Sequence, residues 1–258
     1  MIKLVMARLD GSAADDVRLS AAAELADMFK AEIVGLFLNI VPEEKPGFGD
    51  ETVKALKSRA SRMKTPLEIR RIDVSAEELS AVAVREARAA DTFISLAWGD
   101  EGAAKEPEPL LRRVLLESGR HLFVVAEQAP IKRHFDHVLV AWDGSRDAAR
   151  AMAEALPYLH RSSEVPVLVV DAEGGQRDHA AGAEAISYLR HHSVAAELVH
   201  PARRDGDLAA ILREEAARRG ADLIVMGSVG RAPSAESFPE SVASEMIRHP
   251  PVPLVVAH

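Results

Sequence analysis

The strongest constraint on this chain is that it repeats itself. "IKLVMARLDGSAADDVRLSAAAELADMF" near the start matches "DHVLVAWDGSRDAARAMAEALPYL" after Phe135. In both, an apolar run ends in Asp-Gly-Ser (Asp10–Ser12 and Asp143–Ser145) and an alanine-rich helical pattern follows. The copies also close alike, "LLRRVLLESGRHLFVVA" against "FPESVASEMIRHPPVPLVVA", each a helix followed by a last apolar strand. A period of about 130 residues implies two domains. The boundary falls near "EQAPIKRHF", with Pro130 marking the linker, which gives domains at 1–131 and 132–258.

Within each copy strands and helices alternate. The first copy offers "KLVMARL", "EIVGLFLNI", "PLEIRRI", "TFISLAW" and "HLFVVA" as strands, and the second "HVLVAW", "VPVLVV", "AAELVH", "DLIVMG" and "PLVVA". Short β-branched runs without polar alternation are the pattern of strands buried on both faces. Helical patterns separate them. In "GDLAAILREEAARRG", Leu208, Ile211, Leu212 and Ala216 share a face and Gly220 is placed as a stop. The expected fold class is α/β, two tandem doubly wound five-stranded parallel-sheet domains. Such sheets bind ligands beyond the C-terminal strand ends, where strand order reverses. Asp143 and the stretch Gly227–Gly230 fall at such ends.

Composition removes several classes of function. A formal charge of −8 argues against nucleic acid or an anionic membrane as the main partner. No apolar run approaches the roughly 18 residues of a membrane span, and "MIKLVMARLD" meets its aspartate too soon for a signal peptide. Zero cysteines exclude a disulfide framework and thiolate chemistry and agree with a cytoplasmic location. No Walker sequence, nucleophile elbow or metal-binding histidine spacing appears; His191 and His192 are adjacent and diverge on a helix. No catalytic or metal residue is therefore assigned.

Taken together, Asp-Gly-Ser after the first strand, "ADLIVMGSVGR" after the fourth and "SVASEMIRHPPVPLVVAH" at the end resemble the universal stress protein family in its tandem form. The resemblance implies an adenine nucleotide alpha hydrolase-like fold, and a last strand that pairs between domains. Here "LFVVA" and "LVVA" would pair within one chain as an intramolecular pseudo-dimer, and such chains can dimerise further. The family's signature loop is Gly, two residues, Gly, nine residues, Gly, then Ser or Thr. Gly227, Gly230 and Ser241 match it, and Glu240 stands in place of the third glycine. In members with the full loop, ATP binds through the first-strand aspartate, the second-strand backbone and the glycine loop. Carried over, these positions are Asp143, Val170, Gly227, Gly230 and Ser241.

Glu240 opposes a phosphate at that loop. A like charge at roughly 4 Å costs about 4 kcal/mol at an effective dielectric near 20, against about −8 kcal/mol for micromolar affinity. The same residue also completes Ser237-Phe-Pro-Glu240, an S-x-x-E capping box. Two readings follow. In one the helix end is satisfied internally, no cofactor binds tightly, and the protein acts in stress adaptation through a small metabolite or a partner protein. In the other the second domain is an ATP-binding switch with at most weak hydrolysis.

The first copy has drifted further. Its candidate positions are Asp10, Gly99, Gly102 and Arg113. Gly99 and Gly102 keep the Gly-x-x-Gly spacing, with Arg112 and Arg113 in place of Gly-Ser, whereas alignment from Asp91 instead pairs Gly99 with Gly230. Paired arginines can hold an anion or simply form a solvated helix face. Ser12 and Ser145 are placed as helix caps after their Asp-Gly turns. Trp98 and Trp142, at strand ends, either stack on a base or fill the core.

Overall fold

The computed structural model describes residues 1–41, 47–98, 107–125, 131, 134–169, 176–201, 207–229 and 241–258, without the side chains of 176–181. The chain divides into two compact units, Met1–Arg133 and His134–His258. The first contains β1 (Leu4–Leu9), α1 (Asp15–Phe29), β2 (Glu32–Ile40), α2 (Asp50–Ala60), β3 (Leu67–Val74), α3 (Leu79–Ala87), β4 (Thr92–Leu96), α4 (Glu108–Glu117) and β5 (Leu122–Val125). The second contains β6 (Val138–Trp142), α5 (Arg146–Leu159), β7 (Pro166–Val169), α6 (Gln176–His191), β8 (Glu197–Val199), α7 (Leu208–Arg219), β9 (Leu223–Gly227), α8 (Val242–Arg248) and β10 (Leu254–Ala257).

Strand order in the first unit is β3-β2-β1-β4-β5, and in the second β8-β7-β6-β9-β10. Pairing within each unit is parallel throughout. These are doubly wound sheets, and the order reverses between β1 and β4 and between β6 and β9. The central strands β4 and β6 are buried at every position; β6 is apolar throughout, and β4 adds only the small polar side chains of Thr92 and Ser95. The edge strand β3 differs: Glu68, Arg70, Arg71 and Asp73 leave it mostly part-exposed. Charges of this kind blunt an unpaired strand edge.

Helix ends follow local chemistry. Asp207 accepts hydrogen bonds from Ala209 N and Ala210 N at the start of α7, and Gly220 closes it at φ 62°. Ser145 caps α5, its Oγ accepting from Ala148 N at 3.1 Å. Ser12 does not cap α1, contrary to expectation. That helix starts at Asp15 after Ala14, and the Asp15 carboxylate itself accepts from Asp10 N (3.2 Å) and Gly11 N (2.7 Å).

One device recurs in both units. Asp91 Oδ2 accepts from Lys3 N at 2.7 Å and Leu4 N at 2.9 Å, clamping the start of β4 to the start of β1. Asp222 does the same for β9 and β6, accepting from Asp136 N at 3.1 Å and His137 N at 3.2 Å. Asp91 and Asp222 are therefore structural equivalents. This fixes the register of the two copies along their fourth strands, where Leu96 corresponds to Gly227. From the end of the fourth strand to the next helix the first copy spans residues 97–107 and the second 228–241, three residues longer.

Candidate functional site

In the second unit, β6 ends at Trp142 and the chain turns through Asp143 and Gly144, whose φ of 74° favours glycine. Asp143 Oδ1 accepts from Ser145 N at 2.9 Å, and no ion pair engages Asp143 among the described residues. Two residues beyond the Ser145 cap, Asp147 reaches from the first turn of α5 over the end of β9. Its Oδ2 accepts from Ser228 Oγ (2.9 Å), Val229 N (3.1 Å) and His258 Nδ1 (3.0 Å). Arg146 lies 3.1 Å from His258 Nε2. An arginine can only donate, so Nε2 accepts and the imidazole proton is assigned to Nδ1. Burial opposes ionisation of Asp147, but the Ser228, Val229 and His258 hydrogen bonds outweigh it and hold the carboxyl below the usual range.

This arrangement bears directly on the glycine loop. Ser228 N donates to Ala257 O at 2.9 Å and Val229 N to Asp147. The first two N–H groups after Gly227 are thus committed to acceptors inside the protein. Gly227 itself has a packing reason to be glycine. A Cβ there would lie 2.6 Å from Ala148 N and 2.7 Å from the Asp147 carbonyl carbon, because α5 starts directly upon it. At this end of the loop the residues do not fit a phosphate chain. Ser241 is the N-cap of α8, its Oγ accepting from Ser244 N at 3.1 Å. Helix α8 therefore begins at Val242, directly after its Ser241 cap. Val170, Gly230, Ser237 and Glu240 lie outside the described residues, as do Gly99 and Gly102 of the first copy.

The first unit is built differently at the same end. Asp10 follows β1, and Arg18, at the end of the first turn of α1, is wholly buried beside it. Arg18 donates to Asp15 Oδ1 at 2.7 Å and to Asp10 Oδ2 at 3.2 Å, and Arg8 approaches Asp10 at 3.3 Å. Burial acts to raise the Asp10 pKa, but the Ser12 hydrogen bonds and the Arg18 and Arg8 charges bring it down to about 2. Burial and the Asp10 charge push Asp15 up instead. Asp10 is thus neutralised by the protein's own cations. Arg113 sits in the middle of α4 and binds Glu117 through two bonds of 2.8 and 3.0 Å. It belongs to a solvated helix face.

Trp98 and Trp142 are buried, at 0% and 6% exposure, and fill the core. The cluster of Asp147, Ser228 and His258, and that of Asp15 with Arg18, are not evident from the sequence. A second acidic residue four or five positions after each Asp-Gly-Ser aspartate is the signal they leave, and it reads equally as a favourable charge at a helix N-terminus. Among the described residues, no helix is long and apolar enough to cross a membrane.

Comparison with known proteins agrees with this architecture. A universal stress protein from Archaeoglobus fulgidus superposes with a TM-score of 0.75 at 18% identity, covering 98% of this chain and 95% of its own. A functionally unknown protein from Pseudomonas aeruginosa PAO1 gives 0.64 at 12% identity, covering 99% and 92%. At such identities these likenesses speak for the fold alone. No curated protein sequence matches the chain. Residues 134–258 match the model of the Universal stress protein family. The second unit is a universal stress protein domain, and the first repeats its fold in tandem with it.

Proposed function

We propose that the chain acts in stress adaptation in the cytoplasm, binding a small metabolite or a partner protein at the strand ends of the second unit, without tight ATP binding and without enzymatic turnover. The observation that carries this reading is the contrast between the two strand-end aspartates. Asp10 is neutralised by the buried Arg18, whereas Asp143 has Ser145 N as its hydrogen-bond donor and no ion-pair partner among the described residues. A carboxylate so placed accepts hydroxyl or amine donors from a ligand. The commitment of Ser228 N and Val229 N to internal acceptors supports the absence of a triphosphate.

The test is nucleotide content and nucleotide affinity. Purified protein is denatured, and the released material is read by ultraviolet spectrum and ion-exchange chromatography; the native chain is then titrated calorimetrically with Mg-ATP to about 1 mM, where binding is worth about −4 kcal/mol. No adenine and no saturable heat are expected. One adenine nucleotide per chain, or saturation in the micromolar range, would overturn the reading in favour of an ATP-binding switch.

A further inference from the structure

A groove runs along α1 in the first unit. Helix α1 has 15 residues and α2 has 11, so α2 stops short of its neighbour. The gap beneath its C-terminus is a groove of about 510 Å³ between α1 and the turn that leads into β3. That size is within the range of small-molecule pockets, roughly 300–1,000 Å³. Ala23 and Met63 supply apolar surface, Glu24 lines the α1 wall, and Arg62 and Lys64 line the other.

The charges are the informative part. At one end Arg59 is already engaged: it donates to Ser12 O at 2.7 Å and lies 3.7 Å from Asp16. Asp27 pairs with Lys30 at 3.1 Å. Glu24, Arg62 and Lys64 line one cavity, yet among the described residues none has an ion-pair partner, and they do not pair with each other. Opposite charges on opposite walls, separated by apolar surface, match a ligand that carries both signs with an apolar part between them. We infer that this groove binds a zwitterionic small molecule of di- or tripeptide size. Its ammonium group would face Glu24, its carboxylate Arg62 and Lys64, and its side chains Ala23 and Met63. The proposal is independent of the ligand of the second unit.

Leucyl-leucine serves as the probe on the full chain, followed by ¹H–¹⁵N cross-peak shifts in residues 16–27 and 59–65. N-acetyl-leucyl-leucine lacks the ammonium and leucyl-leucinamide lacks the carboxylate. Saturable shifts in those residues are expected below about 10 mM, with each capped analogue about fivefold weaker, equivalent to about 1 kcal/mol. Glu24→Gln should abolish the preference over the acetylated analogue, and Arg62→Gln with Lys64→Gln the preference over the amide. Both are surface replacements that leave the core intact. Absence of saturable shifts at about 10 mM, or equal affinity for the three compounds, overturns the proposal.

Discussion

Replacing Arg18 by Met tests the view that the first unit supplies its own counter-ion. The Arg18 and Asp15 side chains are both 0% exposed and 2.7 Å apart. Methionine keeps apolar bulk but leaves the buried Asp15 without its nearest cation, only Arg59 remaining at 3.9 Å, a change that costs about 3–5 kcal/mol. Unfolding entropy is about 2.1 cal/mol/K per residue. Spread over Met1–Arg133, that cost lowers the melting temperature of this unit by roughly 10–18 °C. Calorimetry on the full chain measures it as a downward shift of one transition.

The sign of the pH response follows from Asp15. Its folded pKa is already above the usual carboxylate value, and removal of Arg18 raises it further. A carboxyl raised in the fold destabilises the native state at higher pH and ceases to do so as it protonates. The deficit of Arg18→Met should therefore shrink between pH 7 and pH 5. Asp10, with a folded pKa of about 2, contributes stability above its unfolded pKa and loses it only in stronger acid, outside that window. A deficit below about 1 kcal/mol, or one that widens on acidification, refutes the reasoning. Combining Arg18→Met with Asp15→Asn should recover part of the loss, since the buried charge is then gone.

Two further substitutions probe the second unit. Gly227→Ala places a methyl group 2.6 Å from Ala148 N. It should cost about 1–3 kcal/mol in urea denaturation through overpacking alone, and wild-type stability would show that α5 is free to retreat. Asp147→Asn weakens the acceptor of Ser228, Val229 N and His258 and should cost about 1–3 kcal/mol at pH 7. Because the Asp147 carboxyl is held below its usual range, its contribution is present above the unfolded pKa and fades as pH falls through the folded one. The gap between wild type and variant, measured by urea midpoints, should therefore close below about pH 4; a gap constant from pH 7 to pH 3 would mean that the charge is irrelevant.

The inner strands were legible because most are short apolar runs bounded by turn residues, the pattern that burial on both faces demands; the edge strand β3, with its charged residues, departs from it. Ser145 and Gly220 were legible for a similar reason: their roles depend on a few neighbouring residues. The interactions that define the site were not. Arg18 on an alanine-rich helix reads as a solvated side chain, because its burial depends on Asp10 and Asp15 being folded against it. Asp147 meets Ser228 and His258 across separations of 81 and 111 residues, and nothing local announces a contact of that range. Gly227 was read as part of a phosphate loop, whereas α5 accounts for it by packing. The register of the two fourth strands likewise rests on the shared clamping role of Asp91 and Asp222.

That clamp has a consequence for how the protein is made. Lys3 and Leu4 donate to a carboxylate 88 and 87 residues later, and the second unit repeats the arrangement over 86 and 85. At synthesis rates of roughly 5–20 residues per second, the first strand of each unit waits about 4–18 s before this partner exists. Until then β1 has only β2 to pair with, and its other edge is open to other nascent chains. The order in which the ribosome delivers the strands thus leaves one edge of β1 and of β6 uncovered for that interval, a stretch of synthesis in which a chaperone would protect them.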